Sequence, residues 1–490
     1  MKKYILSIDS GTTGVTTLLL DEKLKVVHKE YLELNQFFPN PGWVEHNPNE
    51  LISKIFKQLN NIDKKYGLKN ILSIGITNQR ETIVLWDKLT GKPVYNAIVW
   101  QCRRTKDYCE KLKTKKTSNE IFKKTGLYID SYFSATKIKW ILENIPLAKK
   151  TNDKNQLLFG TIDTWIIWNL TNRKKHLTDY TNASRTMLYN INEKKWDSEL
   201  LNLFKIPKKI LPKIKNSMDN FGEAVIKKYF IPISGIAGDQ QSALFGQGCY
   251  NKNTSKCTYG TGLFYLLNTG KIRQDSKSGL LTTLAIDENG KPCYAIEGSV
   301  FIGGAIIQWL RDELKLIKNA SETEKIAIDI KDSNGVYIVP AFVGLGAPYW
   351  DSKCSGLITG ITRSTNKKHI IRASLESIAY QVNDLIRCIQ KDTKTKIASL
   401  NVDGGAANNN FLMQFQSDIS NIKIKKPKNI ETTAIGAGIL AGIQSGFWKN
   451  TKEIFNDNNI SKIFKPKMKN NDRNKRISGW NQSINRAIKQ

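Results

Sequence analysis

Two short segments restrict the fold of this chain most, because each consists of two strand-like runs joined by a turn of glycine and threonine. Residues 4–9 and 15–21 have the apolar and β-branched composition of strands, and residues 10–14 (Ser-Gly-Thr-Thr-Gly) form the turn between them. Residues 256–268 predict a second hairpin around residues 260–262 (Gly-Thr-Gly). Each half of the chain therefore opens with the same kind of hairpin.

The length of the chain predicts two domains. A single hydrophobic core rarely grows past about 250–300 residues, and this chain has 490. We place the domains at residues 1–248 and 249–490, with the boundary near 246–254. Hydrophobic residues make up 40% of the sequence, which is enough to fill two cores and indicates a globular rather than a disordered chain.

Several classes of protein do not fit the sequence. Asp9 ends the first apolar run far short of a signal peptide, and no segment reaches the roughly 18 apolar residues of a membrane span. The seven cysteines include no CxxC pair and the four histidines are scattered, so neither a disulfide framework nor a zinc site is indicated. We expect a cytoplasmic, reduced protein that does not insert into a membrane.

The strongly basic composition allows two interpretations. The formal net charge is +31, from 75 Lys and Arg against 44 Asp and Glu, which would suit nucleic-acid binding. Lysine greatly outnumbers arginine, however, and it is spread along the whole chain, as expected from an AT-rich genome. We therefore expect no nucleic-acid partner, and a positive surface field that helps to attract anionic nucleotides.

Further segments predict an alternation of strands and helices. Strands are predicted over residues 71–77, 82–86, 336–340 and 399–403. Helices are predicted over residues 135–144, 301–314, 367–390 and 433–445. Near the end of the chain, the lysine- and asparagine-rich residues 465–475 predict a solvated loop. A short amphipathic helix around Trp480, Ile484 and Ala487 is predicted to follow it.

The two glycine–threonine turns are candidate phosphate sites. The backbone N–H groups of a glycine-rich turn form an anion cradle, to which threonine hydroxyls add donors. Asp9, at the end of the first strand, is suited to hold Mg²⁺ directly or through water. An ordinary hairpin turn is the alternative, but one such turn in each half favours a nucleotide phosphate chain held from opposite sides. The sequence contains neither a P-loop GxxxxGK[ST] nor an intact GxGxxG.

Other polar side chains follow apolar runs. Asp239 is a candidate acceptor for the proton of a substrate hydroxyl, or an N-cap for the segment from residue 240 onward. Residues 80–81 (Arg-Glu) suit hydroxyl recognition or form a surface ion pair. Residues 403–410 (Asp-Gly-Gly-Ala-Ala-Asn-Asn-Asn) suit contact with a base and ribose, or form a plain strand–turn–helix link. Trp100 and Phe264 either flank the carbon face of a polyol or pack in a core.

Taken together, long runs of this sequence resemble the glycerol kinases of the FGGY family of carbohydrate kinases, and the resemblance covers nearly the whole chain. In the first half it is carried by Asp-Ser-Gly-Thr-Thr at 9–13, Pro-Gly-Trp-Val-Glu-His at 41–46, Gly-Ile-Thr-Asn-Gln-Arg-Glu-Thr at 75–82, Asn-Ala-Ile-Val-Trp-Gln-Cys-Arg-Arg at 96–104, Asp-Tyr-Thr-Asn-Ala-Ser-Arg-Thr-Met-Leu at 179–188 and Ser-Gly-Ile-Ala-Gly-Asp-Gln-Gln at 234–241. In the second half it is carried by Gly-Leu-Gly-Ala-Pro-Tyr-Trp-Asp at 344–351. It implies a two-domain α/β actin-like ATPase (ribonuclease H-like) fold with an interdomain active-site cleft.

The resemblance also implies a reaction and a role for individual residues. The reaction is ATP-dependent phosphorylation of glycerol to sn-glycerol 3-phosphate with Mg²⁺, in which Asp239 is the base and Asp9 organises the metal. The implied glycerol site comprises Arg80, Glu81, Trp100, Tyr132, Asp239, Gln240 and Phe264. The implied ATP site comprises Thr12, Thr13, Gly14, Thr16, Thr261, Gly304, Gln308, Gly405 and Asn409. We expect a homodimer or a homotetramer.

The sequence departs from the family at two places. Val15 and Thr16 stand where many bacterial members carry Ser and then Arg, which weakens one phosphate contact relative to those members. The loop at 219–232 lacks the Gly-rich, Arg-containing segment that binds fructose 1,6-bisphosphate in enteric members and the phosphorylated His of Gram-positive members. We therefore expect an enzyme without these two controls. A related sugar kinase and a non-enzymatic binding protein are the competing hypotheses.

Overall fold

The structure is a computed structural model that describes residues 2–351, 353–455 and 459–489. The chain forms two compact units. The first unit comprises Met1–Tyr250, Thr282–Tyr294 and Thr432–Asn456, and the second comprises Asn251–Leu281, Ala295–Glu431 and Asp457–Gln490. The expected domains 1–248 and 249–490 are continuous in sequence, whereas each compact unit is assembled from separate segments.

Strands and helices alternate along both units. The strands are β1 (Tyr4–Ser10), β2 (Gly14–Leu20), β3 (Val26–Glu33), β4 (Glu45–His46), β5 (Ile71–Asn78), β6 (Ile83–Asp87), β7 (Ala97–Ile98), β8 (Leu157–Thr161), β9 (Leu177–Asp179), β10 (Tyr189–Asn190), β11 (Lys195–Trp196), β12 (Lys213–Lys215), β13 (Glu223–Ile226), β14 (Tyr229–Gly238), β15 (Ser255–Tyr259), β16 (Leu263–Gly270), β17 (Leu281–Ile286), β18 (Pro292–Val300), β19 (Tyr337–Val339), β20 (Leu357–Thr359), β21 (Ser399–Asp403), β22 (Lys423–Pro427) and β23 (Ile460–Phe464). The helices are α1 (Pro48–Tyr66), α2 (Lys106–Leu112), α3 (Lys115–Thr125), α4 (Ser134–Asn144), α5 (Pro146–Asp153), α6 (Ile162–Leu170), α7 (Tyr180–Ala183), α8 (Ser198–Phe204), α9 (Asp239–Gly246), α10 (Ala305–Asp312), α11 (Glu322–Ile328), α12 (Lys367–Thr393), α13 (Asn410–Ser420), α14 (Thr432–Gln444), α15 (Thr451–Ile454) and α16 (Asn470–Ile488).

The first unit is built on a six-stranded sheet with the strand order β13-β14-β5-β1-β2-β3. β1 and β2 form the predicted antiparallel hairpin, in which Asp9 lies opposite Thr16. β5 runs parallel to β1 on one side and to β14 on the other. Because parallel strands end at the same edge of a sheet, the residues that follow β1, β5 and β14 meet there.

Helices cover both faces of this sheet. Side chains alternate between the two faces along a strand, so neighbouring residues of β1 enter different clusters. Leu6 packs in the buried cluster that contains Trp165 of α6. Ile5 packs in the buried cluster that contains Leu440 of α14. The sheet is therefore the middle layer of a three-layer α/β unit.

Helix α14 lies very close to the sheet and to α9, although it follows β5 by more than 350 residues. A Cβ atom on Gly75 of β5 would lie 2.0 Å from the carbonyl oxygen of Ala437. A Cβ atom on Gly246 of α9 would lie 2.2 Å from the carbonyl oxygen of Thr432. Glycine on the facing elements allows this approach, which explains why the segment 432–456 belongs to the first unit.

The second unit contains the strands β16-β15-β21-β22-β23 in this spatial order. β15 and β16 form the predicted second hairpin, and β21 runs parallel to β15. The 27-residue helix α12 packs beside α16. The Trp480 ring of α16 stacks on Tyr380 at 5.2 Å, and its indole nitrogen donates to Asp384 at 2.7 Å.

The structure confirms most of the predicted strands and helices and corrects two of them. The helix predicted over 301–314 begins only at Ala305, because the N–H groups of Gly303 and Gly304 bond to carbonyls of the second glycine–threonine turn. The loop predicted over 465–475 is wrong from Asn470 onward, where α16 begins. The buried guanidinium of Arg473 donates to the carbonyl oxygens of Asp418 and Met468, which anchors this polar sequence as a helix. In the described part of the chain, no helix is both long and apolar enough to cross a membrane.

Candidate active site

An ion pair between Arg80 and Asp239 lies where two parallel strands of the first unit end. Arg80 follows β5 and Asp239 follows β14, and Arg80 Nε lies 3.2 Å from Asp239 Oδ1. The Arg80 side chain is only 1% exposed, whereas the Asp239 side chain is 28% exposed. Between them, Gly238 leaves room for the Arg80 stem, since a Cβ there would lie 2.7 Å from Arg80 Cγ. A buried cation thus holds a carboxylate that solvent can reach.

Asp239 is the first residue of α9 and does not cap it. The N-cap is Gly238, which has no side chain to bond the helix, so the N-cap interpretation of Asp239 is wrong. Its Oδ1 accepts a hydrogen bond from the N–H of Gln240 at 2.7 Å. Gln240 is itself buried. The first turn of a helix favours acidic side chains, which suits Asp239 at this position.

Glu81 lies beside Arg80 in an unusual backbone conformation. Its φ is 62°, in the left-handed region that residues with a side chain rarely adopt. The hydroxyl of Ser134 donates to the Glu81 carbonyl at 3.1 Å and helps to hold this conformation. The Glu81 carboxylate lies 3.7 Å from Arg80 Nε and 2.6 Å from Arg185 Nε. Strained residues of this kind cluster at functional sites.

Trp100 and Tyr132 form an aromatic corner next to the first turn. Their rings lie 5.4 Å apart in an edge-to-face arrangement, and both residues are half-buried. Trp100 Nε1 donates to the hydroxyl of Thr12 at 2.9 Å. The structure thus brings a candidate glycerol residue into contact with a candidate phosphate residue, and core packing does not describe Trp100.

The segment that carries Tyr132 is held by a buried ammonium group. Lys137 Nζ donates to the carbonyl oxygens of Ser131, Tyr132 and Phe133 at 3.1, 2.5 and 3.0 Å. Burial lowers the pKa of Lys137 to about 8, because a charge is costly to remove from water. Lys137 therefore fixes three consecutive carbonyls and with them the start of α4.

The first glycine–threonine turn is tightly packed on one side and open on the other. A Cβ on Gly14 would lie 2.4 Å from the Tyr31 ring and 2.6 Å from the Leu32 carbonyl, so only glycine fits. The Tyr31 hydroxyl donates to the Thr13 carbonyl at 2.9 Å. Thr13 is exposed, and Thr12, Asp9 and Thr16 are half-buried. The turn is thus braced from β3 while its threonine residues remain accessible.

Gln79 connects this turn to the residues that follow β5. Its Nε2 donates to the Gly11 carbonyl at 3.1 Å, and its Oε1 accepts from the Thr82 hydroxyl at 2.9 Å. The same Nε2 lies 3.3 Å from Nδ1 of His46. Burial lowers the pKa of His46 to about 4, so the ring is neutral at pH 7 and its nitrogen can accept. Thr82 Oγ1 in turn accepts from the N–H of Trp100 at 3.1 Å.

The buried Asp179 carboxylate connects the end of β14 with the end of β5 through hydrogen bonds. Its carboxylate accepts from the Thr181 hydroxyl at 2.7 Å and from Asn182 Nδ2 at 3.0 Å. Thr181 Oγ1 accepts from the N–H of Gly238, directly before Asp239. Asn182 exchanges side-chain hydrogen bonds with Asn78 at the end of β5. Burial raises the pKa of Asp179, and the hydrogen bonds that it accepts oppose that rise.

In the second unit, three glycine-containing segments meet at the second turn. The N–H of Gly304 donates to the Gly260 carbonyl at 2.8 Å, and the N–H of Gly303 donates to the Thr261 carbonyl at 2.8 Å. Gly404 has a φ of 85°, and a Cβ there would lie 2.6 Å from the Tyr259 carbonyl. The candidate nucleotide residues Thr261, Gly304 and Gly405 are thereby brought onto adjacent backbone segments.

The remaining candidates of the second unit lie at the edges of this arrangement. Asn409 caps α13, since its Oδ1 accepts from the N–H of Leu412, and its Nδ2 donates to the Thr323 hydroxyl. Gln308 is exposed on α10. Phe264 is half-buried on β16. Asn409 is therefore a structural cap, whatever else it contacts.

Sequence reasoning assigned no role to four residues that the structure connects to the candidate site: Gln79, Lys137, Asp179 and Arg185. Three of these residues lie within the runs that carry the family resemblance, at 75–82 and 179–188. A buried polar residue inside such a run was the available signal. Lys137 offered no signal of this kind, because it lies outside those runs.

The donor set around Asp9 fits Mg²⁺ better than a metal bound only by protein. Among residues 2–351, 353–455 and 459–489, no cluster of three or more His, Cys, Asp or Glu side chains is arranged to hold a metal ion. Mg²⁺ usually binds one or two carboxylates and completes its shell with water and substrate phosphates. A half-buried Asp9 beside an open threonine turn suits that mode.

Comparison with known proteins places this chain in a family. The model of the FGGY carbohydrate kinase N-terminal domain matches residues 4–246, and that of the C-terminal domain matches residues 255–445. Curated glycerol kinases from Clostridium botulinum (strain 657 / Type Ba4) and Fusobacterium nucleatum subsp. nucleatum are each 53% identical over 493 residues, covering 100% and 99% of this chain and 99% of each relative. The crystal structure of Plasmodium falciparum glycerol kinase with ADP is 40% identical, with a TM-score of 0.93, over 100% of this chain and 99% of that chain.

A more distant structure shows the same fold. The ligand-bound xylulose kinase of Lactobacillus acidophilus is 24% identical, with a TM-score of 0.86, over 99% of this chain and 97% of that chain. The expected two-domain α/β kinase fold is confirmed. The chain belongs to the FGGY family of carbohydrate kinases.

Proposed function

We propose that this chain is a glycerol kinase, which transfers the terminal phosphoryl group of ATP to glycerol and forms sn-glycerol 3-phosphate. The observation that carries the proposal is the half-buried, solvent-accessible Asp239 carboxylate held by the buried Arg80, with Glu81 beside it. Full-length similarity to curated glycerol kinases at 53% identity supports glycerol as the acceptor.

The acceptor side of the reaction uses residues of the first unit. Arg80 donates to glycerol hydroxyls, Glu81 accepts from them, and Tyr132 and Gln240 add polar contacts. Phosphoryl transfer has a loose transition state, so positioning of the attacking hydroxyl matters most. Asp239 orients that hydroxyl and receives its proton as the new bond to phosphorus forms. Trp100 and Phe264 flank the carbon skeleton.

The phosphates and the nucleotide use the two glycine–threonine turns and their neighbours. Thr12, Thr13, Gly14 and Thr16 contact the phosphates. Thr261, Gly304, Gln308, Gly405 and Asn409 contact the nucleotide. Asp9 would hold Mg²⁺, with water and substrate phosphates completing the shell, and the ion would supply neutralisation of phosphate charge.

Two further properties accompany this function as proposals. Because the reaction consumes ATP, we propose the cytoplasm as its location. We propose a homodimer or a homotetramer, which sedimentation or light scattering of the purified protein measures. Loss of the fructose 1,6-bisphosphate segment predicts no several-fold change of rate when that sugar phosphate is added.

The deciding experiment measures ADP release in a coupled assay with ATP, Mg²⁺ and a panel of glycerol, xylulose and gluconate. We expect turnover with glycerol, and an Asp239→Asn variant that loses about 100-fold or more of it, as is typical for a catalytic base. Asp219→Asn is the matched control, because Asp219 is also partly exposed and paired with a cation, Lys215, at 2.8 Å. Faster turnover with xylulose or gluconate contradicts the choice of glycerol. Substantial activity of the Asp239 variant removes Asp239 from the role of base.

A further inference from the structure

A second buried guanidinium, that of Arg185, forms an ion pair with the Glu81 carboxylate. Arg185 Nε lies 2.6 Å from Glu81 Oε1, and the two side chains are 0% and 2% exposed. Breaking a buried pair by removing one partner is strongly destabilising, because it leaves a charge that neither water nor protein compensates. The buried ion pair with Arg185 therefore holds the Glu81 carboxylate in place.

The same guanidinium contacts two aromatic rings. Its carbon lies 5.6 Å from the centre of the Tyr132 ring and 5.2 Å from that of Phe133, within the range of a cation–π interaction. The backbone is anchored next to it, because the N–H of Ala135 donates to the Thr186 carbonyl at 2.8 Å. Arg185 thus joins a candidate hydroxyl acceptor, Glu81, to a candidate hydroxyl contact, Tyr132, through one rigid group.

Arg185 also affects how Arg80 divides its contacts between Asp239 and Glu81. Arg80 Nε lies closer to Asp239, at 3.2 Å, than to Glu81, at 3.7 Å. With Arg185 present, the Glu81 carboxylate has a cation that lies closer to it than Arg80 does. Without it, the electrostatic attraction of Glu81 draws Arg80 away from Asp239.

We propose that Arg185 is a positioning residue for the binding of the polyol acceptor. Its guanidinium holds the Glu81 carboxylate and the Tyr132 ring in fixed positions relative to each other, and it allows Arg80 to pair with Asp239. This inference rests on the proposed function, since it concerns the same acceptor site. Arg185 itself acts through Glu81, Tyr132 and Arg80 and does not contact the reacting atoms.

The test compares Arg185→Met and Arg185→Lys with a matched control, Arg104→Met. Arg104 is also an arginine of the first unit, and its side chain is 0% exposed. It pairs with a glutamate, Glu45, at 2.5 Å and lies 3.8 Å from the centre of the Trp43 ring. For Arg185→Met we expect the KM for glycerol to rise about tenfold or more, while the KM for ATP stays within about twofold. Arg185→Lys keeps the charge without the planar fork and is expected to give an intermediate KM for glycerol. Arg104→Met is expected to lower the melting temperature without raising the KM for glycerol.

A double-mutant cycle with Glu81→Gln separates positioning from general destabilisation. If Arg185 acts through Glu81, the double variant loses little more kcat/KM than Glu81→Gln alone. Independent, multiplying effects overturn the proposal, and so does a KM for glycerol that stays within about twofold in both Arg185 variants. If Arg185→Met does not fold, Arg185→Lys and its cycle carry the test.

The proposed function has its own test, which is independent of the Arg185 variants: it is wrong if the wild-type chain releases no ADP with glycerol. The Arg185 variants are then measured with the acceptor of the panel that the wild-type chain does phosphorylate. A selective rise in the KM for that acceptor still supports Arg185 as a positioning residue, and an unchanged KM overturns it.

Discussion

The indole nitrogen of Trp100 donates a hydrogen bond to the hydroxyl oxygen of Thr12 over 2.9 Å. One of these residues is a candidate wall of the acceptor site and the other a candidate phosphate contact. Within the first unit, the two functions therefore share a direct hydrogen bond. A substitution at either residue is therefore expected to alter the position of the other side chain.

A double-mutant cycle between Trp100→Phe and Thr12→Val measures this hydrogen bond. The phenyl ring keeps an aromatic surface next to Tyr132 but has no donor, and valine has no acceptor. A net hydrogen bond contributes about 0.5–1.5 kcal/mol, so each variant is expected to lose about 2- to 12-fold in kcat/KM. The two losses should overlap in the double variant. If they multiply instead, the hydrogen bond does not connect the two sites.

Gln79→Met is expected to reduce kcat/KM about tenfold, because it removes the hydrogen bonds to the Gly11 carbonyl and the Thr82 hydroxyl. Gln58→Met is the control. Gln58 is equally buried in the first unit, and its Nε2 donates to the carbonyls of Val15 and Glu30 at 3.0 and 3.2 Å. Both variants should unfold at a lower temperature, which thermal scans measure. Only the Gln79 variant should also lose kcat/KM to a greater extent than its loss of stability explains. Equal kinetic losses would assign Gln79 a purely structural role.

The stability contributed by Lys137 should increase with pH. The pKa of Lys137 is about 8 in the folded chain and near 10.5 in the unfolded chain, so between these values the unfolded state binds more protons. The free energy of unfolding then rises with pH. Relative to Lys137→Met, the wild-type chain is expected to gain about 2 kcal/mol between about pH 7.5 and about pH 9.5.

Denaturant unfolding followed by tryptophan fluorescence at the two pH values checks this prediction. The comparison with Lys137→Met cancels the groups that both chains share. A difference between the two chains that does not change with pH, or that shrinks as pH rises, would contradict a lowered pKa for Lys137.

Gly405→Ala probes the nucleotide site without disturbing the second unit. A Cβ on Gly405 has no neighbour within 4 Å, so the variant is expected to fold with unchanged stability. If ATP approaches this backbone closely, the added methyl group raises the KM for ATP several-fold and leaves the KM for glycerol unchanged. Steady-state kinetics with each substrate varied in turn measure both values. An unchanged KM for ATP would remove Gly405 from the nucleotide site.

Local sequence patterns predicted the hairpins and the long helix α12, whereas the family resemblance grouped Arg80 and Asp239 in one site. Those patterns depend on alternation, helical spacing and turn residues, which nearby sequence specifies. The start of α10 was predicted too early, because the N–H groups of Gly303 and Gly304 bond to residues more than 40 positions away. The start of α16 was predicted too late, because the contacts that stabilise Asn470 onward are made by a buried arginine.

The supporting residues of the site could not be predicted for the same reason. Arg185 and Glu81 are 104 residues apart in sequence, as are Asn182 and Asn78. Their pairing depends on the order of strands in the sheet and on buried hydrogen bonds, and neither has a periodic signature. A polar residue inside a family run indicates importance, but only the three-dimensional contacts identify its partner.

The return of the segment 432–456 to the first unit has a consequence for biosynthesis. A ribosome makes the chain from its amino end, so β1, β5 and β14 emerge long before α14. Until about nine-tenths of the protein has been synthesised, the apolar face that α14 covers has no cover from its own chain. The nascent first unit is therefore a natural client for chaperones, and a fragment that stops at the end of α9 is expected to aggregate.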